Sequence, residues 1–200
     1  MTIAEEKQAL RREVRAAERA LDPLCREASD RAIAARLLAL PLYREAGTVF
    51  CFVSTSREID TRPILKDVLA TGRRLCVPRC AAGREMELAV LSSLAELEPG
   101  AYGILEPKSG CTVLTAEDVD FAVLPCVSAD RRGRRLGQGG GYYDRFLRRY
   151  RGKMAVVCRE ALLRPHSPQE EHDVCIPWVL TEDGVFPGET APKVNDYCIT

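Results

Sequence analysis

The sequence predicts an α/β protein whose mostly parallel sheet is covered by helices on both faces. Three observations carry that expectation. Short, continuous apolar runs such as TVFCFVS, FAVLP and MAVVC read as fully buried strands, without the alternation of a sheet that has one wet face. Segments with helical spacing lie between several of these runs. A chain of 200 residues, 46% hydrophobic and 29% charged, has enough apolar side chains for a sizeable core. One domain spanning residues 1–200 is expected, because no linker, internal repeat or low-complexity tract interrupts the pattern.

The first forty or so residues read as two helices. Leu10, Val14, Ala17 and Leu21 recur at helical spacing with charges between them. Asp22-Pro23 ends this helix and starts the next, with Asp at the N-cap and Pro at the first helical position. Ile33, Leu37 and Leu40 form the second apolar stripe. TVFCFVS is the first strand. Thr61 is expected to cap a helix through ILKDVLA, closed by Gly72. RLCVP is the second strand and MELAVL the third. FAVLP is another buried strand, YYDRFLRRY a helix, MAVVC the strand after it, and WVLTE a short closing strand.

The connection after FAVLP includes the run SADRRGRRLGQGGG. It carries Arg131, Arg132, Arg134 and Arg135, then packs Gly137, Gly139, Gly140 and Gly141 into five positions before a helix expected to begin near Tyr142. Ligands of open α/β sheets bind beyond the carboxyl ends of the strands. Glycines before a helix expose backbone N–H donors where the helix dipole favours an anion. That is a phosphate site in outline, with the arginines adding charge on the approach. The dinucleotide fingerprint fails, since Tyr142 stands at its last glycine, and the Gly-Lys-Ser/Thr of a P-loop is absent. A turn that merely lets helix and strand pack closely would have the same composition. Asp144 falls in the first helical turn, where a carboxylate suits the dipole and could also hold Mg²⁺ against phosphate oxygens.

Composition excludes several classes. A net charge of +0 argues against a general nucleic-acid binder, so any positive charge that matters is local. No apolar run is long enough to span a membrane, and the N-terminus lacks a signal-peptide core, so a cytoplasmic location is expected. Nine cysteines, an odd number, several inside apolar runs, read as free thiols. Cys76 and Cys80 lack the second close pair of a zinc site, and His166 and His172 are too few for a metal or acid–base cluster.

RLGQGGGYYDRFL resembles the signature of the 5-formyltetrahydrofolate cyclo-ligase family, also called methenyltetrahydrofolate synthetases. Lys7, Leu10 and Arg11 follow that family's K-x-x-L-R arrangement. SREIDT, VPR (Val77 to Arg79), YGILEP, PQEEHD and VLTE resemble further elements, in order along nearly the whole chain. The resemblance implies a three-layer α/β/α domain related to the sugar-phosphate isomerase and CoA-transferase folds. It implies that ATP phosphorylates the formyl oxygen of 5-formyltetrahydrofolate, that nitrogen 10 then attacks, and that phosphate leaves to give 5,10-methenyltetrahydrofolate. Such a transfer needs positioning and charge neutralisation more than a side-chain nucleophile.

By the same resemblance, Lys7 and Arg11 reach the ATP phosphates. Arg135, Gly137, Gln138, Gly139, Gly140, Gly141 and Tyr142 bind the nucleotide. Tyr142, Tyr143 and Asp144 border the chemistry. Asp144 and Asp173 are the candidate Mg²⁺ ligands. Ser56, Glu58, Tyr102 and Tyr143 receive the reduced folate, with Glu58 on the N–H donors of the pterin. The implied partners are small molecules, not nucleic acid or membrane, and the implied state is a monomer or weak homodimer. Three positions depart from the family pattern. Pro177 replaces a second aspartate four residues after Asp173, Ala129 replaces an aromatic, and Ala161 replaces a glutamine. A proline side chain offers no atom to ligate a metal. A non-catalytic folate- or nucleotide-binding paralogue is therefore the alternative, followed by a kinase or transferase acting on another small anion.

Overall fold

The computed structural model describes residues 1–81, 83, 85–100 and 103–192. The helices are α1 (Ile3–Ala20), α2 (Pro23–Ala39), α3 (Pro41–Arg44), α4 (Arg62–Ala70) and α5 (Tyr142–Arg149). The strands are β1 (Thr48–Cys51), β2 (Arg74–Cys80), β3 (Met86–Leu91), β4 (Leu97–Pro99), β5 (Leu105–Pro107), β6 (Val113–Leu114), β7 (Phe121–Leu124), β8 (Ser128–Ala129), β9 (Arg135–Leu136), β10 (Lys153–Val157), β11 (Trp178–Leu180) and β12 (Val185–Pro187).

One sheet has the order β12-β11-β10-β7-β1-β2-β3-β6. Its middle, β11 through β2, is parallel. The edges are not: β3 runs antiparallel to β2, β6 to β3, and β12 to β11. Two small antiparallel pairs, β4–β5 and β8–β9, stand apart from it.

The continuous apolar runs feed two cores, because consecutive strand residues point to opposite faces. Val49, Cys51, Phe121, Val123, Ala155 and Val157 pack with Ile33, Leu37, Ile64 and Leu65 from α2 and α4. Phe50, Ala122, Leu124 and Val156 pack with Val14 of α1 and with Phe146 and Leu147 of α5. This is the three-layer arrangement.

Local signals were honoured unevenly. Asp22 caps α2 by accepting from the Leu24 and Cys25 amides at 2.9 and 3.1 Å. Gly72 ends α4 with a left-handed φ of +69°. Thr61 stands at the N-cap of α4, yet its side chain does not cap it. Its hydroxyl instead donates to the Phe52 carbonyl at 2.8 Å and accepts from the Ser54 amide at 3.2 Å, tying α4 to the segment leaving β1. The short strands β4, β5, β6, β8, β9 and β12 were not anticipated, since two or three residues carry no periodicity.

Candidate active site

The carboxyl ends of the parallel strands define the site. Phe52 follows β1, Pro125 follows β7, and Pro78 and Cys80 lie at the end of β2; all four border one cleft of about 550 Å³. After Pro125 the chain makes the β8–β9 hairpin before it reaches the glycines, and this decides where the arginines go. Arg131, at the hairpin tip, pairs with Glu160 and lies over the Phe186 ring. Arg132 and Arg134 pair with Glu189 at 3.6 and 3.4 Å. The expectation that all four arginines approach the loop is corrected: only Arg135, on the returning strand, does so. It is buried, donating to the Pro125 carbonyl at 3.3 Å and to Asp144 Oδ1 at 2.5 Å.

Gly139 and Gly141 have φ of +98° and +76°, a region L side chains rarely adopt, and Gly141 occupies the N-cap of α5. Gly137, Gln138, Gly139, Gly140, Gly141 and Tyr142 all line the cleft. Helix α1 lies across this loop. Arg11 Nε donates to the Gly137 carbonyl at 2.8 Å, and Arg15 donates to the Gln138 side chain at 2.7 Å. Lys7, Arg11 and Arg15 are spaced four residues apart and so share one helix face. Arg15 was missed, although its spacing from Arg11 was a usable signal. Burial, then the charges of Arg15 and Arg135, lower the Arg11 pKa, while Asp144 and Asp173 oppose the shift. Such a cation gains from a neighbouring anion.

Lys7 is buried, with Nζ 2.7 Å from Glu170 Oε2 and 2.5 Å from Asp173 Oδ2. Burial alone would lower its pKa, but the bonds to Asp173 and Glu170 outweigh it and the net shift is upward. Glu170, His172 and Asp173 bring potential ligand atoms within 4.8 Å of one another, and the ammonium already sits against two of the three. Asp173 and Lys7, assigned by resemblance to metal and phosphate respectively, are thus bonded to each other. Asp144 differs. Its side chain is 37% exposed, faces the cleft beside the glycines, and commits Oδ1 to Arg135. One carboxylate there fits magnesium held mainly by phosphate oxygens and water.

The wall of the cleft also carries Glu58, whose Oε2 accepts from the Thr55 amide and hydroxyl, both at 2.9 Å. Its turn is fastened from behind by Arg159, which is 2% exposed. Arg159 forks onto Asp30 at 2.8 and 3.0 Å and donates to the carbonyls of Arg57 and Glu58 at 3.1 and 2.9 Å. No local pattern announces these contacts. Glu106 of β5 also lines the cleft and accepts from the Cys80 amide at 3.2 Å. It lies in the YGILEP run, where only Tyr102 was singled out; Tyr102 itself lies outside the described residues. Ser56 is exposed in the turn before Glu58 and forms no part of the cleft wall. Burial, reinforced by the charge of Glu58, pushes the Tyr143 phenol well above its usual pKa, so it stays protonated.

None of the three departing positions lines the cleft. Pro177 borders another cavity, with Lys153 and Trp178, at the amino ends of the strands. Ala129 is buried in β8, and Ala161 is exposed in the 3₁₀ turn Glu160–Leu162. Among the described residues, no helix is long and apolar enough to cross a membrane.

A family model described as the 5-formyltetrahydrofolate cyclo-ligase family matches residues 3–182. The Arabidopsis thaliana protein named 5-formyltetrahydrofolate cyclo-ligase, mitochondrial, is 31% identical over 93% of this chain and 77% of its own. The Escherichia coli K12 5-formyltetrahydrofolate cyclo-ligase is 31% identical over 86% of this chain and 98% of its own. Among solved structures, the Aquifex aeolicus 5,10-methenyltetrahydrofolate synthetase superimposes with a TM-score of 0.83 at 29% identity, covering 96% of this chain and 97% of that one.

Proposed function

The chain belongs to the 5-formyltetrahydrofolate cyclo-ligase family, and from that premise we propose that it converts 5-formyltetrahydrofolate to 5,10-methenyltetrahydrofolate at the cleft beside Gly137–Gly141, consuming ATP. One observation supports this reading most. The same cleft joins a left-handed glycine loop at a helix start, overlain by the cationic face of α1, to a fixed carboxylate, Glu58, on its wall.

The amides of Gly137–Gly141 and the dipole of α5 receive the triphosphate, with Arg11 beside them. Asp173 and Glu170 hold the Lys7 ammonium at the edge of this region. Magnesium, when bound, would neutralise phosphate charge from Asp144, whose position Arg135 sets. Glu58 accepts from the pterin N–H groups, and Glu106 adds a second acceptor on that wall. Tyr143, kept protonated, closes the space between the two ligands. With the formyl oxygen held in line with the terminal phosphate, transfer needs no side-chain nucleophile. Nitrogen 10 then attacks the activated carbon and phosphate departs.

Purified protein mixed with ATP, Mg²⁺ and 5-formyltetrahydrofolate is expected to develop the absorbance of the methenyl product, and to develop none when ATP is omitted. Tight binding of both ligands without product would instead mark a non-catalytic paralogue.

Glu58→Gln is expected to raise the KM for 5-formyltetrahydrofolate about tenfold, the worth of one hydrogen bond to a charged group. The KM for ATP should remain near wild type. Steady-state kinetics with each substrate varied separately checks this, and equal effects on both constants would remove Glu58 from the folate site.

A further inference from the structure

Two thiols lie where the cleft meets a neighbouring cavity. This second cavity, of about 440 Å³, shares Phe52, Glu58, Pro125, Cys126 and Gln138 with the first. Cys126 borders both spaces, and Cys158 borders the second. The sheet register brings them together. Leu124 of β7 is opposite Val156 of β10 in the last parallel pair of that ladder, and continuing the register two residues past it aims Cys126 at Cys158. Leu124, Val156 and Cys158 belong to one core, and Cys126 packs against that same core, so both thiols leave the sheet on one face.

Neighbouring strands lie about 4.8 Å apart, inside the Cα window of about 4.4–6.8 Å that a disulfide requires. Cys126 Sγ reaches the Val157 carbonyl at 3.4 Å, which puts it against the backbone that carries Cys158. An interaction with Cys126, then burial, holds the Cys158 thiol well above its usual pKa. Cys51 and Cys76, on adjacent strands β1 and β2, offer the contrast: they belong to opposite cores and cannot bridge.

We propose that Cys126 and Cys158 are a reversible oxidation site, forming a disulfide that links the two loops on which both substrates depend. The chemistry closes with a hydroperoxide as oxidant. The half-buried Cys126 attacks the peroxide through its thiolate, the O–O bond breaks, and a sulfenic acid forms with loss of water or alcohol. Cys158 sulfur then displaces the hydroxyl, its proton leaving with that oxygen as water, and the S–S bond forms. Two electrons pass from the thiols to the peroxide.

The link has leverage at both ends. Cys126 follows Pro125, whose carbonyl accepts from Arg135, and leads into the hairpin that delivers the glycine loop. Cys158 precedes Arg159, which fastens the carbonyls of Arg57 and Glu58. Moving either anchor by a fraction of an ångström displaces a substrate contact.

The site is tested by treating the full chain with hydrogen peroxide and mapping disulfides by mass spectrometry of unreduced peptides. A Cys126–Cys158 crosslink is expected before any other, with Cys158→Ser leaving a dimedone-reactive sulfenic acid at Cys126. Crosslinking should lower kcat/KM about tenfold, less than the roughly hundredfold that a full ~1 Å misplacement can cost, with recovery on adding dithiothreitol. Each variant is compared with its own untreated rate. The mapping stands independently of the proposed activity, whereas the rate change rests on it. A map in which both thiols stay reduced while others oxidise overturns the proposal, as does a crosslink that leaves the rates of both substrates unchanged.

Discussion

Gly139→Val is expected to lower kcat/KM for ATP by about a hundredfold or more while the protein still folds. The reason is backbone conformation rather than space. A Cβ at Gly139 would meet nothing closer than the Arg11 guanidinium carbon at 3.5 Å, an ordinary contact. The φ of +98° is the obstacle, because a β-branched residue there costs about 1–3 kcal/mol. The loop is exposed and can escape that strain by rotating, which turns its amides from the phosphate. Each lost hydrogen bond to a charged group is worth about 1.5–3 kcal/mol, and about 1.4 kcal/mol is a factor of ten. Calorimetric titration with ATP reads the loss, and a thermal melt close to wild type shows that the fold survives. Gly133 differs in kind: its φ is +89° and a Cβ would run into the Ile176 carbonyl, so its need for glycine belongs to packing. Wild-type nucleotide affinity in Gly139→Val would remove the loop from the phosphate site.

Asp144→Asn should reduce kcat about a hundredfold, the scale on which removing one preorganised electrostatic group acts. The substitution keeps an oxygen near Arg135 but removes the negative charge. Two consequences separate the carboxylate's roles. If it holds magnesium, the Mg²⁺ concentration giving half-maximal rate rises sharply, and the KM for 5-formyltetrahydrofolate changes little. If it serves only as the counter-ion of Arg135, whose side chain is 4% exposed, stability falls and the magnesium response does not move. A magnesium titration of the rate beside a denaturant melt distinguishes these, and an unaltered Mg²⁺ response sinks the metal assignment.

Much of this architecture was readable from local patterns. Continuous apolar runs announced the buried strands, Asp22-Pro23 marked a helix boundary, and helix α5 begins at Tyr142 as expected. The glycine loop was legible because glycine at positive φ is a local requirement. Signals that depend on one turn of backbone survive without tertiary context. Contacts across long separations do not. The Lys7–Asp173 bond spans 166 residues and the Arg159–Asp30 fork spans 129, so no window of sequence contains either pair.

The hairpin shows the difference most plainly. Arg131, Arg132, Arg134 and Arg135 are near neighbours in the chain, and composition treats them alike. Two strands of two residues each turn three of them toward Glu160 and Glu189 and one toward Asp144. Sequence by itself determined the longer helices and the buried strands, the layered class and the position of the bare-backbone loop, because propensity and side-chain period are properties of short segments. Only the tertiary structure decided which charges meet, which carboxylate stays open to the cleft and which is already neutralised by an ammonium, because electrostatic partnership depends on distance in space, which burial and packing set.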